Sequence, residues 1–100
     1  MNINKMQDQA SQVSELLQAC SHSSRLMLLC QLSQEELNVG ELEAKLGLQQ
    51  PSLSQHLGIL RRQGLIEGRR AGQQIYYKLA DDRAKALVAS LYAIFVKNNF

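Results

Sequence analysis

Apolar residues recur at helical spacing through the first half of the chain. Val13, Leu16, Leu17 and Cys20 stand at i, i+3, i+4 and i+7 and predict a helix from about Asp8 to Cys20. The polar run Ser21-His22-Ser23-Ser24 breaks that stripe, and Ser23 or Ser24 is placed to cap a second helix. This helix carries Leu26, Met27, Leu29, Cys30 and Leu32, apolar on nearly every side, which predicts a central position. Residues 34–38 (Gln-Glu-Glu-Leu-Asn) read as a polar connection, and Val39 to Leu48 as a short helix ended by Gly47 at its C-cap. The next helix starts near Pro51, where a missing N–H costs nothing because first-turn donors have no partner within the helix. Leu53, Leu57 and Leu60 form its inward stripe and Gly64 ends it.

Beyond Gly64 the pattern shifts to β-rich segments. Leu65-Ile66-Glu67 and the run from Ile75 to Leu79 flank Ala71-Gly72 and predict a two-stranded hairpin that must pack on the helices. Asp81 or Asp82 then caps a last helix with Ala84, Leu87, Val88, Leu91 and Phe95 on one stripe. Short helix, tight turn, longer helix and hairpin make a mainly α winged helix-turn-helix of order α-α-α-α-β-β-α. One hundred residues fit one such domain over 1–100. The first and last helices carry more apolar surface than a core of this size absorbs, which predicts a homodimer built through them.

Charge sharpens this picture. Residues 1–50 carry three basic and six acidic side chains, residues 51–78 five basic and one acidic, and residues 79–100 three basic and two acidic. The positive balance therefore concentrates on the longer helix and the hairpin, as expected of a face that meets double-stranded DNA. Gln50, Ser52, Ser54, Gln55 and His56 stand at the polar front of the helix. Gln55 is the candidate for an adenine contact and Ser54 for a base or phosphate contact. His56 is expected either to orient the helix, to touch a phosphate, or to pack half-buried. Of Arg61 and Arg62, one is expected to serve phosphate and the other an intramolecular acid. Arg69 and Arg70 sit on the wing as phosphate ligands, with Gln73 and Gln74 across the turn.

In this order and spacing the residues resemble the ArsR/SmtB family of bacterial winged-helix repressors over nearly the whole chain. Ser24-Arg25-Leu26 with Leu28-Leu29 looks like the family's second helix, and Val39-Gly40-Glu41-Leu42 like the start of its third. The run from Ser52 to Leu57, with Leu60, Gly64-Leu65-Ile66, Arg69-Arg70-Ala71-Gly72 and Tyr77, looks like its recognition helix and wing. The resemblance implies a dimeric repressor that leaves its promoter when an inducer, often a metal ion, binds. At Gln49 the chain departs from the serine with which the family usually caps its recognition helix. This departure leaves open which of Gln49, Gln50 and Ser52 reaches a base edge.

The family's metal sites need clustered thiolates or imidazoles. No Cys-x-Cys pair lies near Leu37-Asn38-Val39-Gly40, and no histidine follows His56 to join Asp81 and Asp82. Cys20-Ser21-His22 with Cys30 is too small a donor set, so neither a metal nor another cofactor is expected. The placement of Cys30 resembles instead the sulfide- and redox-responsive branch, whose mechanism joins a second-helix cysteine to one near the end of the last helix. That second position falls near Phe95-Val96-Lys97, where this chain has no cysteine. Cys20 and Cys30 remain candidate thiol sensors, with plain core packing as the alternative. Their Cα atoms are expected to lie ~10 Å apart, beyond the ~7 Å reach of a disulfide.

Catalysis has no visible apparatus. Ser52, Ser54 and His56 share one short helix with no acid to complete a triad, and no phosphate-binding glycine loop is present. The N-terminal residues lack the apolar segment of a signal peptide and no run spans a membrane, which predicts a cytoplasmic protein without membrane partners. The sequence therefore predicts a DNA-binding regulator, a homodimeric repressor of a palindromic operator released by thiol oxidation or persulfidation. A constitutive regulator without ligand and a winged-helix protein-interaction module are the alternatives.

Overall fold

The computed structural model describes residues 2–97. Its elements are α1 (Ile3–Cys20), α2 (Ser23–Leu32), β1 (Leu37–Asn38), α3 (Val39–Leu46), α4 (Ser52–Arg62), β2 (Ile66–Ala71), β3 (Gln74–Leu79) and α5 (Asp82–Tyr92), with a π-helical turn over Ala93–Lys97. The α-α-α-α-β-β-α order holds, with one strand added before α3.

Helix α2 is the hub. Leu28, Leu29 and Leu32 are buried, and the helix touches α1, α3, α4, α5 and β3. Leu42 of α3, Leu53, Leu57 and Leu60 of α4, Ile66 and Leu79 of the strands and Ala84 and Val88 of α5 complete one continuous core. Each fully buried leucine contributes on the order of 1.5–3 kcal/mol of transfer free energy, so this dry contact fixes where α4 sits.

The caps explain the boundaries. Helix α1 begins well before Asp8 because Asn2 Oδ1 accepts the Asn4 N–H at 2.8 Å, a cap the apolar stripe alone did not reveal. Helix α2 is capped by His22 rather than by Ser23 or Ser24: His22 Nδ1 accepts the Ser24 N–H at 3.1 Å. Asn38 and Glu41 form a reciprocal capping box at α3, which ends at Gly47 in the left-handed region (φ 68°). Asp81, not Asp82, caps α5.

The polar connection before α3 is partly a strand. Leu37 pairs with Tyr77 and Asn38 with Tyr76, giving an antiparallel sheet of order β1-β3-β2, and the Leu37 side chain is buried. Two residues are too few for alternation to show in a sequence. The hairpin register pairs Ala71 with Gln74, so Gly72-Gln73 is the two-residue turn. Gly72 takes φ 63° at its first position, as a type II′ turn requires.

Candidate nucleic-acid interface

Helix α4 divides cleanly. Leu53, Leu57 and Leu60 are buried, while Ser52, Ser54, Gln55, Arg61 and Arg62 are exposed. At its front, Pro51 supplies no side-chain cap. Gln50 takes that role: its Oε1 accepts both the backbone N–H (3.3 Å) and the hydroxyl of Ser54. Two consequences follow from this pairing. The Gln50 amide must turn its NH₂ outward, and the Ser54 oxygen keeps its lone pairs for an external donor. Gln55 has its amide free of internal partners among the described residues, which leaves both of its edges for a base.

His56 faces the other way. It is half-buried, its ring centroid lies 4.4 Å from that of His22, and its Nδ1 lies 3.5 Å from Arg25 Nη1. Arg25 Nε in turn donates to the Ala19 carbonyl at 2.7 Å at the end of α1. The recognition-type helix is thereby joined to the α1–α2 corner through a histidine and an arginine. Burial, followed by the neighbouring His22 and Arg25, pushes the His56 imidazole below its ordinary range. Arg25 enters the sequence reading only through the family resemblance, because a contact across 31 residues leaves no local signal.

On the wing the two adjacent arginines part company. Arg69 donates from Nε (3.1 Å) and Nη2 (2.5 Å) to Glu36 Oε1, with its guanidinium 5.2 Å from the Tyr76 ring centroid. This pairing holds the Glu36 carboxyl below its ordinary range. Arg70, Gln73 and Gln74 are exposed, and Arg70 has no acid partner among the described residues. Neither Arg61 nor Arg62 is in an ion pair among the described residues, so the expected pairing of one of them with an internal acid is not met. Glu36 escaped the sequence reading because its partner lies 33 residues away.

Cys20 is buried at the C-terminal end of α1, and Cys30 is half-buried on the wall of a groove of about 670 Å³. Leu26 and Ser33 stand beside Cys30, while Val88, Tyr92 and Phe95 form the opposite wall. Burial pushes both thiols above their ordinary range. Among the described residues no three His, Cys, Asp or Glu side chains are grouped to hold a metal ion, and no helix is long and apolar enough to cross a membrane.

A family model of the bacterial regulatory protein, arsR family, matches residues 22–67. The biofilm growth-associated repressor of Agrobacterium fabrum is 52% identical over 90 residues, which make up 90% of this chain and 77% of the relative. The chain belongs to the ArsR family. Its members are DNA-binding transcriptional regulators and not enzymes. Among solved structures, reduced HlyU of Vibrio cholerae superposes with a TM-score of 0.90 at 37% identity, covering 94% of this chain and 99% of that one. That protein is named a transcriptional activator. Mb0332 of Mycobacterium bovis, described as a homodimeric winged helix-turn-helix DNA-binding domain, gives 0.80 at 25% identity, covering 100% of this chain and 93% of that one. In an ArsR-family protein, α3 and α4 are the helix-turn-helix and β2–β3 is the wing.

Proposed function

We propose that this chain is a homodimeric, sequence-specific repressor, in which one winged helix-turn-helix domain both reads DNA and forms the dimer. Each protomer lays α4 in a major groove of a palindromic operator. Gln55 and Ser54 face the bases, with Gln50 and Ser52 at the helix front. Arg61, Arg62 and Arg70 serve phosphates, and Gln73 and Gln74 follow at the wing. The observation that carries this reading is the two-sided α4: a leucine face buried in the core and a polar face left open beside arginines without an acid partner among the described residues. Repression follows the Agrobacterium relative, which is 52% identical to this chain over 90 residues.

The dimer rests on α1 and α5. Ile3, Met6, Val13 and Leu17 on α1, Tyr92 at the end of α5, and Ile94, Phe95 and Val96 in the turn after it are large apolar side chains left in water. Large apolar side chains left exposed in such number support an interface there. A DNA target places the protein in the cytoplasm with the chromosome. Fluorescence anisotropy against the DNA upstream of its own gene, over a salt series and beside a mixed-sequence duplex, tests the reading. Tight, salt-dependent and sequence-selective binding by a dimer is expected. Weak binding without salt dependence would favour a protein-interaction module instead.

Thiol control, in this proposal, acts through Cys30, because Cys20 is closed in the core while Cys30 borders the α2–α5 groove. An inorganic polysulfide is a sufficient donor. Cys30 loses its proton to solvent, and its sulfur attacks a terminal donor sulfur. A new S–S bond forms as the donor's S–S bond breaks, and the shortened polysulfide leaves with the electron pair. The longer side chain then crowds Tyr92 and Phe95 and shifts α5. Polysulfide treatment should release DNA from the wild type and from Cys20→Ser but not from Cys30→Ser. Indifference of all three would make Cys20 and Cys30 core residues and point to another signal or to none.

A further inference from the structure

Arg69 and Arg70 are neighbours in sequence but lie on opposite faces of the wing, because strand side chains alternate. Arg70 pairs across the hairpin with Ile75, on the face that carries Tyr77 and Leu79 into the core. Arg69 pairs with Tyr76, which pairs in turn with Asn38 on β1. The Arg69 side chain therefore crosses the outer face of the sheet over Tyr76 and ends on Glu36, just before β1. Glu36 is the only carboxylate bonded to it among the described residues, and the pair is solvent-accessible at both ends.

We propose that Glu36 sets the DNA affinity of the wing by holding Arg69 in an internal ion pair that a backbone phosphate must displace. The proposal rests on the DNA-binding reading of the wing given above. A phosphate oxygen offers the guanidinium the same two-point acceptor chemistry as the carboxylate, so the two compete for one donor set. Exposed ion pairs are weak, which makes the exchange accessible. Each protomer thus meets DNA with one wing arginine already open, Arg70, and a second that is released only at the expense of its acid. Glu36 tunes binding without touching DNA and is an affinity-setting, positioning residue.

The test uses the full chain and a mixed-sequence duplex long enough for both protomers, because phosphate contacts are independent of sequence. Glu36→Gln keeps the shape of the side chain and removes its charge. Binding is expected to tighten by about three- to tenfold, and the slope of log affinity against log salt to steepen by about one ion per protomer, close to 0.9 per phosphate gained. In an Arg69→Ala background the same substitution should have no effect. An unchanged slope, or an equal gain in the Arg69→Ala background, would overturn the proposal. So would an equal gain from Glu67→Gln, which removes a carboxylate paired with Lys78 on the same face. Thermal melts of each variant check that the fold is retained. The Arg69→Ala, Arg70→Ala double variant, run in parallel, isolates the underlying reading: if wild type binds and the double variant keeps its full salt slope, the wing is not a phosphate contact at all.

Discussion

The recognition helix and the wing are held by different forces. Helix α4 is seated by Leu53, Leu57 and Leu60 in a dry core, an interaction indifferent to salt and almost fixed in geometry. The wing has only its base in the core, through Ile66, Tyr77 and Leu79, with the Glu67–Lys78 pair on the solvent face of that base; its outer half is held by ladder hydrogen bonds and the Arg69–Glu36 pair. The difference matches what the proposed function asks of each. Reading base edges needs a side-chain constellation placed to within a fraction of an ångström, and tight packing provides that. Gripping phosphates needs mobile charge, and surface ion pairs supply charge that can be exchanged.

The most direct way to break the comparison is to remove packing under the helix. Leu57→Ala should cost about 2–5 kcal/mol of stability, the usual range for a buried leucine whose cavity does not collapse. Denaturant melts at low and high salt should give the same loss. A loss that shrank markedly with salt would mean that charge, not packing, seats α4.

At the DNA the two regions should separate by kind of effect. Gln55→Ala is expected to cost about 1–3 kcal/mol of discrimination between operator and mixed-sequence duplex, with little change in affinity for the latter. Arg70→Ala should weaken both complexes alike and flatten the salt slope by about one ion per protomer. Competition anisotropy with both duplexes over a salt series distinguishes them. An exchange of these signatures would mean that the wing reads sequence and the helix does not.

The helix is also the part most legible in the sequence. Its leucine stripe, its polar front and its end before Gly64 are local signals, and the structure keeps all three. What escaped the sequence is non-local or too short for periodicity. β1 is two residues long, so no alternation could show it. The Arg69–Glu36 and Arg25–His56 contacts join residues 33 and 31 apart, and nothing in the strings Gln-Glu-Glu or Ser-Arg-Leu announces them. The caps show a third kind of limit. Asn2 and Asp81 follow the ordinary preference for short polar side chains, whereas His22 takes a position with two serines just after it, because its ring nitrogen reaches the Ser24 N–H from one residue earlier.

Asn38 joins the wing to α3, the helix that precedes α4. Its side chain caps α3 by accepting the Glu41 N–H at 2.8 Å, and its backbone pairs with Tyr76 at the inner edge of the wing sheet. Asn38→Ala should cost about 1 kcal/mol through the lost capping box, measured by chemical denaturation, and leave the strand pairing in place. A much larger loss would show that the side chain anchors the wing as well as the helix.

The smallest expected effect is a dependence on pH carried by His56. Its imidazole is pushed below the ordinary range by burial first, and then by His22 and Arg25, so the fold favours the neutral ring. The unfolded chain therefore takes up this proton before the folded one does. The stabilising contribution is complete above the ordinary histidine value of about 6.5 and is lost as pH falls below that value toward the lower folded one. The depressed carboxyls of Glu36 and Asp81 act in a separate window: their contribution is present above the ordinary carboxylate range and disappears only below about pH 4. A melting temperature that declines between about pH 7.5 and about pH 5.5, with the decline reduced in His56→Gln, is the expected result. An undiminished decline in that variant would place the titrating group elsewhere. The link between α4 and the α1–α2 corner would then be held by leucine packing alone, with the histidine a passenger.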